Sequence, residues 1–461
     1  MSYLHIKTLK NEKVAVIGGG RAGLAAAALL RDMGALPFLV DDAPKAVLEE
    51  RLHDGPYGLD LPIYGGGLKK DYFDDISLAL LSPGVPRKHP VLAHLLAHEE
   101  IQLFNEVELA YAQTANCSVV GITGSNGKST TTTLTGALLK QMDPDVFLGG
   151  NLGTPFSQGI MEKSNLKTAV LELSSYQLET ITQLPLKSAV ITNLSPDHLD
   201  RYVNLDAYYD AKWRITQLIC TDGWLTLNDA DDGSQQRALK MPFDRQFNFN
   251  VSSQTTGVSC AGTQAVVQTH TGSQQHYELA HPHLIGTHNI SNACAALAVA
   301  HIFELVPLQI EMGFQTYSGM PHRMERVGEH RGVVWVNDSK ATNVEATKTA
   351  IESFEQGIHL FAGGVGKGSD YAPLTKAGRD NLKSVYVFGE ERVNLKVAFE
   401  GIVPVVECDD LKDAVEKAGV RSSNGDVFLL SPACASFDQY RSFEERGDHF
   451  KTLYETQRQQ S

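Results

Sequence analysis

A short apolar run that ends in a glycine-rich turn constrains this chain more than any other feature. The run at 119–122 is followed by Thr-Gly-Ser-Asn-Gly-Lys-Ser-Thr at 123–130, and helix-forming residues continue to Leu139. Glycines let consecutive backbone N–H groups point at a polyphosphate, and the start of a helix adds partial positive charge. We therefore predict a strand, a phosphate-binding loop and a helix, in an enzyme that consumes ATP.

The loop is a variant of the common P-loop sequence. Only two residues separate Gly124 from Gly127, whereas the common pattern has four between its first glycine and the Gly-Lys pair. A chance Gly-Lys-Ser turn is the alternative, but the flanking strand and helix favour a phosphate site. Lys128 is expected to reach the terminal phosphates and Ser129 to ligate Mg²⁺. The predicted ATP-binding residues of this loop are Gly124, Ser125, Asn126, Gly127, Lys128, Ser129 and Thr130.

Composition is that of a globular protein. The 461 residues are 42% hydrophobic and 20% charged, and their number suggests roughly two to four domains. No apolar run approaches the length of a membrane-spanning helix, and the first residues lack a secretory pattern. The net charge of -14 argues against a nucleic-acid surface, and the six scattered cysteines indicate neither disulfides nor zinc. We expect a cytoplasmic monomer without nucleic-acid binding or membrane insertion.

A second glycine motif lies near the start of the chain. An apolar run at 13–17 leads into Gly-Gly-Gly-Arg-Ala-Gly at 18–23, which fits G-x-G-x-x-G, and the next strand at 38–40 ends in Asp41 and Asp42. Taken alone, this motif indicates NAD, although a Rossmann-like unit for another nucleotide fits equally well. The strand at 78–81 ends in a Ser-Pro-Gly turn at Ser82, at the strand edge where open sheets bind ligands.

The pattern of strands and helices predicts an α/β protein with three domains in series. The predicted domains are a Rossmann-like domain at 1–108, a central P-loop domain with a mostly parallel sheet at 109–318, and a Rossmann-like domain at 319–461. The central sheet would contain strands near 119–123, 169–173, 189–193 and 224–228, and the third domain strands near 333–336, 358–361, 384–388 and 427–430. The stretch 234–280, rich in Gln, Ser and Thr, is expected to form short antiparallel strands.

Acidic and basic residues follow the phosphate loop at positions that suit a metal site. Glu172 interrupts an apolar strand, where a carboxylate is costly unless it binds a cation or is held as a structural salt bridge. The polar loop at 193–201 offers Asp197, His198 and Asp200, and oxygen-rich sets suit Mg²⁺. Lys212 follows on a helix, where a lysine is ordinarily solvated.

Seven segments, in order along the chain, resemble the signatures of the Mur ligases. They are TGSNGKST at 123–130, LELSSYQLET at 171–180, NLSPDHLDRY at 193–202 with the following AKWRI, GTHNISNACAA at 286–296, PHRME at 321–325, NDSKATN at 337–343 and SPACASFDQY at 431–440. The last two are similar to the family member that adds D-glutamate. Other members and the folylpolyglutamate synthetase relatives have different residues at 337–340.

The resemblance implies an ATP-dependent ligase of peptidoglycan precursor synthesis. ATP would phosphorylate the alanine carboxylate of UDP-N-acetylmuramoyl-L-alanine, and the amine of D-glutamate would attack the acyl phosphate to give an amide, ADP and phosphate. Two Mg²⁺ ions and a ring of cations would offset the repulsion between the anionic substrates. The domain at 1–108 would bind the UDP-substrate, the central domain ATP, and the third domain the amino acid.

The resemblance also assigns roles to individual residues. Lys128, Glu172, His198 and Lys212 would be catalytic, and Lys212 would react with CO₂ to form a carbamate. The metal ligands would be Ser129, Glu172, His198 and the carbamate of Lys212. Besides the loop, ATP would contact Asn289, Arg323 and Asp338. The UDP-substrate would contact Arg21, Ala22, Asp42, Ser82, Gly84, Asn151 and Ser174. D-glutamate would contact His198, Thr342, Lys367, Ser436 and Phe443.

The chain departs from the family pattern in the first domain, and two other functions remain open on the residues alone. Close relatives often have Asp-Thr-Arg where this chain has Asp-Asp-Ala at 41–43. An NAD-dependent dehydrogenase with an accessory ATP domain would explain the first glycine motif, but the chain has no obvious catalytic acid for it. A non-catalytic nucleotide-binding regulator would leave Glu172, His198 and Lys212 without a role.

Overall fold

The computed structural model describes residues 9–86, 89–97, 100–163, 165–196, 201–355, 357–366 and 368–459. The predicted site residues His198 and Lys367, together with Asp197 and Asp200, lie outside the described residues. The chain divides into two compact units, one of Met1–Glu278 with Ser291–Thr316 and one of Leu279–Ile290 with Tyr317–Ser461.

The first unit begins with a parallel five-stranded sheet in the order β3-β2-β1-β4-β5. Its elements are β1 (Lys13–Ile17), α1 (Arg21–Asp32), β2 (Leu36–Val40), α2 (Lys45–His53), β3 (Ile63–Tyr64), β4 (Leu78–Leu81), α3 (Pro90–Ala97), β5 (Gln102–Phe104) and α4 (Glu106–Ala112). Alternating strands and helices with this strand order form a Rossmann-like fold, as predicted. Because β1 and β4 are neighbours, the glycine turn after β1 and the Ser-Pro-Gly turn after β4 lie at the same sheet edge.

A second parallel sheet of the first unit carries the phosphate loop at its centre, with the order β10-β9-β6-β8-β7. Its elements are β6 (Ser118–Thr123), α5 (Lys128–Leu139), β7 (Phe147–Gly150), α6 (Phe156–Glu162), β8 (Thr168–Glu172), α7 (Ser175–Leu178), β9 (Leu186–Ile191), α8 (Leu205–Trp213), β10 (Ile219–Leu227) and α9 (Asp232–Lys240). The strand, loop and helix predicted around the glycines are therefore β6, residues 124–127 and α5.

The stretch 234–280 is only partly antiparallel, so its prediction is wrong at the start. Strands β11 (Gly257–Ala261), β12 (Gln264–Gln268) and β13 (Gln274–Glu278) form an antiparallel sheet. Residues 234–240, however, belong to helix α9, which Asp231 caps by accepting from the Ser234 N–H at 2.8 Å. Buried Arg237 anchors the helix to Asp206 and Asp210 of α8. The composition, rich in Gln, Ser and Thr, indicated strands, but the cap and these two ion pairs stabilise a helix.

Helices α10 (Thr287–Ile302) and α11 (Pro307–Gln315) come next along the chain, and Ser291–Thr316, which includes most of α10 and all of α11, belongs to the first unit. The sheet of the second unit has the order β14-β15-β19-β16-β17-β18. The remaining elements are β14 (Glu325–His330), β15 (Val333–Asn337), α12 (Val344–Glu352), β16 (Ile358–Gly363), α13 (Ala372–Gly378), β17 (Leu382–Phe388), α14 (Arg392–Phe399), β18 (Val405–Glu407), α15 (Leu411–Gly419), β19 (Val427–Leu430) and α16 (Phe443–Gln459). Only β14 is antiparallel to its neighbour. The loops after β15, β19 and β16 thus meet at one edge.

Buried apolar strands form the core of each unit. Central strands such as β6 and β16 are covered on both faces, as expected for parallel sheets flanked by helices. Within the described ranges, no helix combines the length and the apolar character needed to cross a membrane.

Candidate functional site

The phosphate loop has a backbone that only glycine fits at two positions. Gly124 has φ 144°, and a Cβ there would lie 1.9 Å from Oγ1 of Thr192. Gly127 has φ 80°, and a Cβ there would lie 2.2 Å from Oδ1 of Asn292. The loop therefore packs closely against the segments that contain Thr192 and Asn292. It leads directly into the first turn of α5, and a glycine loop at a helix N-terminus is an arrangement that binds phosphate.

Two predicted lysines converge on one carbonyl of this loop. Lys128 Nζ donates to the Gly124 carbonyl at 2.8 Å and to the Ser125 carbonyl at 2.7 Å. Lys212 Nζ donates to the same Gly124 carbonyl at 2.8 Å and is only 2% exposed. Lys212 is therefore a buried part of the site, and the expectation of a solvated helix position for a lysine in this context does not hold.

Tyr208 joins the helix of Lys212 to the loop. Its ring centroid lies 4.7 Å from Lys212 Nζ, and its hydroxyl lies 3.3 Å from the Ser125 hydroxyl. Tyr208 and Lys212 are four residues apart on α8, so they share one helix face. Tyr208 was not among the predicted site residues, although its i,i+4 spacing from Lys212 places both side chains on the same face of α8.

Glu172 links the start of helix α5 to the segment that follows β7. One carboxylate oxygen accepts from the Ser129 hydroxyl at 2.6 Å, and the other accepts from the Asn151 amide at 2.6 Å. Strand pairing fixes this arrangement, because β8 lies between β6 and β7, with Glu172 level with Ile122 and Gly150. Glu172 is 3% exposed. A buried carboxylate beside a hydroxyl and an amide is an oxygen-rich donor set that suits Mg²⁺.

The described residues supply only part of the predicted metal set. They contain no group of three or more His, Cys, Asp and Glu side chains in metal-binding proximity. Ser129, Glu172 and Lys212 are placed around the loop, while His198 lies outside the described residues.

A cavity of about 620 Å³ lies at the strand edge of the first sheet and continues to the loop after β7. It brings together six of the seven predicted UDP-substrate residues. These are Arg21, Ala22, Asp42, Ser82, Gly84 and Asn151. The seventh, Ser174, does not line it and instead caps α7, where Gln177 closes a capping box. Gln177 itself lines the cavity and was not predicted.

Several of the cavity's side chains are held by contacts within the first unit. Arg21 donates to the Gly153 carbonyl at 2.8 Å, and the Ser82 hydroxyl donates to the Gly18 carbonyl at 2.9 Å. Asp42 accepts from the Leu68 N–H at 3.2 Å and lies 3.3 Å from His89. Asp41 is the better-anchored acid, because it accepts from the Gly19 N–H at 2.6 Å. Of the two acids after β2, Asp41 holds the glycine turn, and Asp42 lines the cavity.

In the second unit, the predicted ATP residues Asn289, Arg323 and Asp338 lie in the first turn of α10, just before β14 and just after β15. Asp338 is 5% exposed and accepts from the Met324 N–H at 3.1 Å and from the Ser431 hydroxyl at 2.8 Å. Burial raises the pKa of Asp338 to about 7, although these donors and the nearby charge of Arg323 oppose the rise. The amide of Asn289 donates to the Ile285 carbonyl at 2.8 Å.

The predicted D-glutamate residues of the second unit follow β15 and β19. Thr342 lies in the loop after β15, and Ser436, 2% exposed, lies in the loop after β19. The Ala433 N–H donates to the Ala341 carbonyl at 3.0 Å, which ties the two loops together. Phe443 begins α16, and its carbonyl accepts from the Ser339 hydroxyl at 2.8 Å. Lys367 lies outside the described residues.

Two residues that were not predicted as site residues contact the phosphate loop and the helix that follows it. Thr192 donates to the Asn126 carbonyl at 2.5 Å, and Asn292 accepts from the Thr131 hydroxyl at 3.3 Å. Both lie far along the chain from the loop, and no local spacing pattern connects them to it.

Comparisons with known proteins agree along nearly the whole chain. Three family descriptions match: the Mur ligase MurD-like N-terminal domain at 12–103, the Mur ligase middle domain at 122–300, and the Mur ligase glutamate ligase domain at 322–434. The UDP-N-acetylmuramoylalanine–D-glutamate ligase of Myxococcus xanthus is 40% identical, covering 97% of this chain and 99% of its own. The protein of the same name from Anaeromyxobacter dehalogenans is 38% identical, covering 96% and 98%.

Solved structures show the same fold. The UDP-N-acetylmuramate-alanine ligase of Thermotoga maritima is 18% identical with a TM-score of 0.59, covering 96% of this chain and 99% of its own. A pseudomurein peptide ligase type C from Methanothermus fervidus is 17% identical with a TM-score of 0.56, covering 97% and 100%. The phosphate loop with its glutamate, the three matched domains and the near full-length relatives together establish that this chain belongs to the Mur ligase family.

Proposed function

We propose that this protein joins the amine of D-glutamate to the alanine carboxyl of UDP-N-acetylmuramoyl-L-alanine, with conversion of ATP to ADP and phosphate. The proposal extends to this chain the activity printed in the names of its relatives from Myxococcus xanthus and Anaeromyxobacter dehalogenans. It places the reaction in the synthesis of peptidoglycan precursors.

One observation carries the proposal: Glu172 connects the phosphate loop to the cavity of the first sheet. Its carboxylate binds Ser129 of the loop and Asn151, and Asn151 also lines the cavity. A substrate in the cavity that extends past Asn151 would therefore bring its carboxyl end toward the terminal phosphate of ATP. Phosphoryl transfer depends mainly on positioning the attacking carboxylate oxygen close to the terminal phosphorus of ATP.

The chemistry requires an activated carboxyl group. A carboxylate is a poor electrophile, so its oxygen attacks the terminal phosphorus of ATP, ADP leaves, and the carbonyl then carries phosphate as a good leaving group. The amine of D-glutamate attacks this carbonyl, and the tetrahedral intermediate expels phosphate to leave an amide. Lys128 would bind the phosphates during the first step, when negative charge moves toward ADP.

Magnesium suits the residues around Glu172. Bound there, Mg²⁺ would neutralise phosphate charge and polarise the phosphoryl group. Ser129, Glu172, His198 and a carbamate on Lys212 would hold it, and two ions are proposed. Support for the carbamate comes from the burial of Lys212 beside Gly124, since an anionic ligand at this position would complement a metal better than an ammonium would.

The acceptor would bind in the second unit. Thr342 and Ser436 would supply hydroxyls, Phe443 an apolar ring and Lys367 a cation, a combination suited to a small dicarboxylate. Asn289, Arg323 and Asp338 would contact ATP, and Ser174 the UDP-substrate region. We further propose the domain division 1–108, 109–318 and 319–461, a monomeric state and a cytoplasmic location.

Phosphate release with a panel of acceptors tests the proposal. Purified protein is supplied with ATP, Mg²⁺, UDP-N-acetylmuramoyl-L-alanine and one amino acid at a time. D-glutamate should support phosphate release, whereas L-glutamate and D-alanine should not, because a site with buried polar groups rejects acceptors that leave them unpaired. A preference for diaminopimelate, L-lysine or a dipeptide would contradict the D-glutamate assignment and leave the ligase chemistry intact.

A further inference from the structure

Arg446, in the first turns of α16, is completely buried, although arginine is seldom buried without an acidic partner. Its guanidinium uses all of its donors within the second unit. Nε donates to the Ser339 hydroxyl at 3.0 Å, Nη1 donates to the carbonyls of Gly363 at 3.3 Å and Cys434 at 3.2 Å, and Nη2 donates to the carbonyls of Ser339 at 2.9 Å and Cys434 at 3.2 Å.

All of these acceptors are neutral. Among the residues that the structure describes, none of the hydrogen bonds or ion pairs of Arg446 involves a carboxylate, and Asp438 acts on it only at longer range. Burial lowers the pKa of Arg446 to about 10, which still leaves the side chain protonated at neutral pH. The second unit thus contains a buried positive charge whose direct hydrogen-bond partners are all neutral, an arrangement that favours an incoming anion.

The buried charge of Arg446 lies where the carboxyl ends of three neighbouring strands meet. Ser339 follows β15, Gly363 ends β16 and Cys434 follows β19, so the guanidinium joins the carboxyl ends of three adjacent strands. The Val365 N–H donates to the Ala435 carbonyl at 2.8 Å, which further links the loops after β16 and β19. The loops that follow Ser339 and Cys434 carry Thr342 and Ser436, and the loop after β16 leads to residue 367.

We propose that Arg446 is a positioning residue of the acceptor pocket, which holds the three strand-end loops in register and supplies a buried positive charge that favours a dicarboxylate acceptor. The inference rests on the proposed D-glutamate function and deepens it. Arg446 is separated from the acceptor by the carbonyls and the hydroxyl that it binds, so it acts through the loops and through its field rather than by touching the reacting atoms.

Steady-state kinetics of Arg446→Lys and Arg446→Met, with each of the three substrates varied in turn, test the inference. Lysine retains the charge but has at most three donors, so the KM for D-glutamate should rise at least about tenfold, and methionine should raise it further. The KM values for ATP and for UDP-N-acetylmuramoyl-L-alanine should stay within about threefold of wild type. Arg458→Met is the matched control, because Arg458 lies on the same helix, is exposed and pairs only with Glu455 in the described structure.

The KM values distinguish a positioning role of Arg446 from a general structural role. A D-glutamate KM that stays within about threefold of wild type in both variants would overturn the inference, and so would an equal rise of all three KM values, which indicates a general structural role. If Arg446→Met fails to fold, Arg446→Lys decides by the same criterion. Failure of wild type and Arg458→Met to use D-glutamate would instead refute the proposed function, so the two failures are distinguishable.

Discussion

The backbone geometry at Gly127 allows the loss of stability caused by an alanine substitution to be estimated. Alanine at φ 80° would bear the left-handed penalty of roughly 1–2 kcal/mol. Its Cβ would also lie 2.2 Å from Oδ1 of Asn292, a clash with an overpacking cost of about 1–3 kcal/mol. The free energy of unfolding of the first unit should therefore fall by about 2–5 kcal/mol in Gly127→Ala.

Gly262→Ala is the matched control for the backbone term. Gly262 has φ 61°, and no atom lies within 4 Å of a Cβ built on it, so only the left-handed penalty of roughly 1–2 kcal/mol applies. Asn292→Ala in the Gly127→Ala background should remove the clash, and the double-mutant cycle should show a favourable coupling of about 1–3 kcal/mol.

Urea unfolding followed by tryptophan fluorescence measures these differences. The chain has three tryptophans, and in a Trp335→Phe background the remaining Trp213 and Trp224 both report on the first unit. Equal destabilisation by Gly127→Ala and Gly262→Ala, or a coupling energy near zero between Gly127 and Asn292, would refute the close packing of the loop against Asn292.

Other predictions concern charge. Lys128→Ala should abolish phosphate release while UDP-substrate binding, measured by calorimetry, stays largely intact; equal loss of both would indicate misfolding. Lys212→Ala should be inactive and partly rescued by a small carboxylic acid, and Lys212→Arg should be no more active, whereas an active arginine variant would exclude the carbamate. Burial raises the pKa of Glu106 from 4.5 to about 7, so ionisation opposes folding by up to about 3 kcal/mol, and stability is lost as pH rises through this window. Glu106→Gln, which can still accept from the Ser157 N–H, should flatten the decline of the thermal midpoint as pH rises from 4.5 to about 7, while exposed Glu162→Gln should not; identical slopes would contradict the buried charge.

The sequence predicted the strands and the phosphate loop well because their signals are local. The apolar run before Gly124 and the glycines after it specify β6, the turn and α5 within about twenty residues, and Glu172 is conspicuous because it interrupts an apolar strand. The glycine motif at 18–23 left the nucleotide open. Family membership, rather than the motif, relates this segment to the N-terminal domain of Mur ligases.

What the sequence did not predict depends on contacts between distant segments. Asn292 contacts Thr131 across 161 residues, and Arg446 reaches Ser339 across 107 residues, with no periodic pattern to connect either pair. Helix α9 was predicted as strand because the stretch 234–280 was treated as one polar segment, and the ion pairs of Arg237 with Asp206 and Asp210 join residues distant in the sequence. The burial of Lys212 and Arg446 became apparent only from the structure, because neither residue interrupts an apolar strand as Glu172 does.

Oxygen-isotope transfer tests the central claim most directly. UDP-N-acetylmuramoyl-L-alanine labelled with ¹⁸O in the alanine carboxylate is incubated with ATP, Mg²⁺ and D-glutamate, and both products are analysed by mass spectrometry. The proposed ligase should form UDP-N-acetylmuramoyl-L-alanyl-D-glutamate and transfer one ¹⁸O atom to the released phosphate, because the carboxylate oxygen becomes the bridge of the acyl phosphate. Unlabelled phosphate, or labelled phosphate without the D-glutamyl product, would contradict the account.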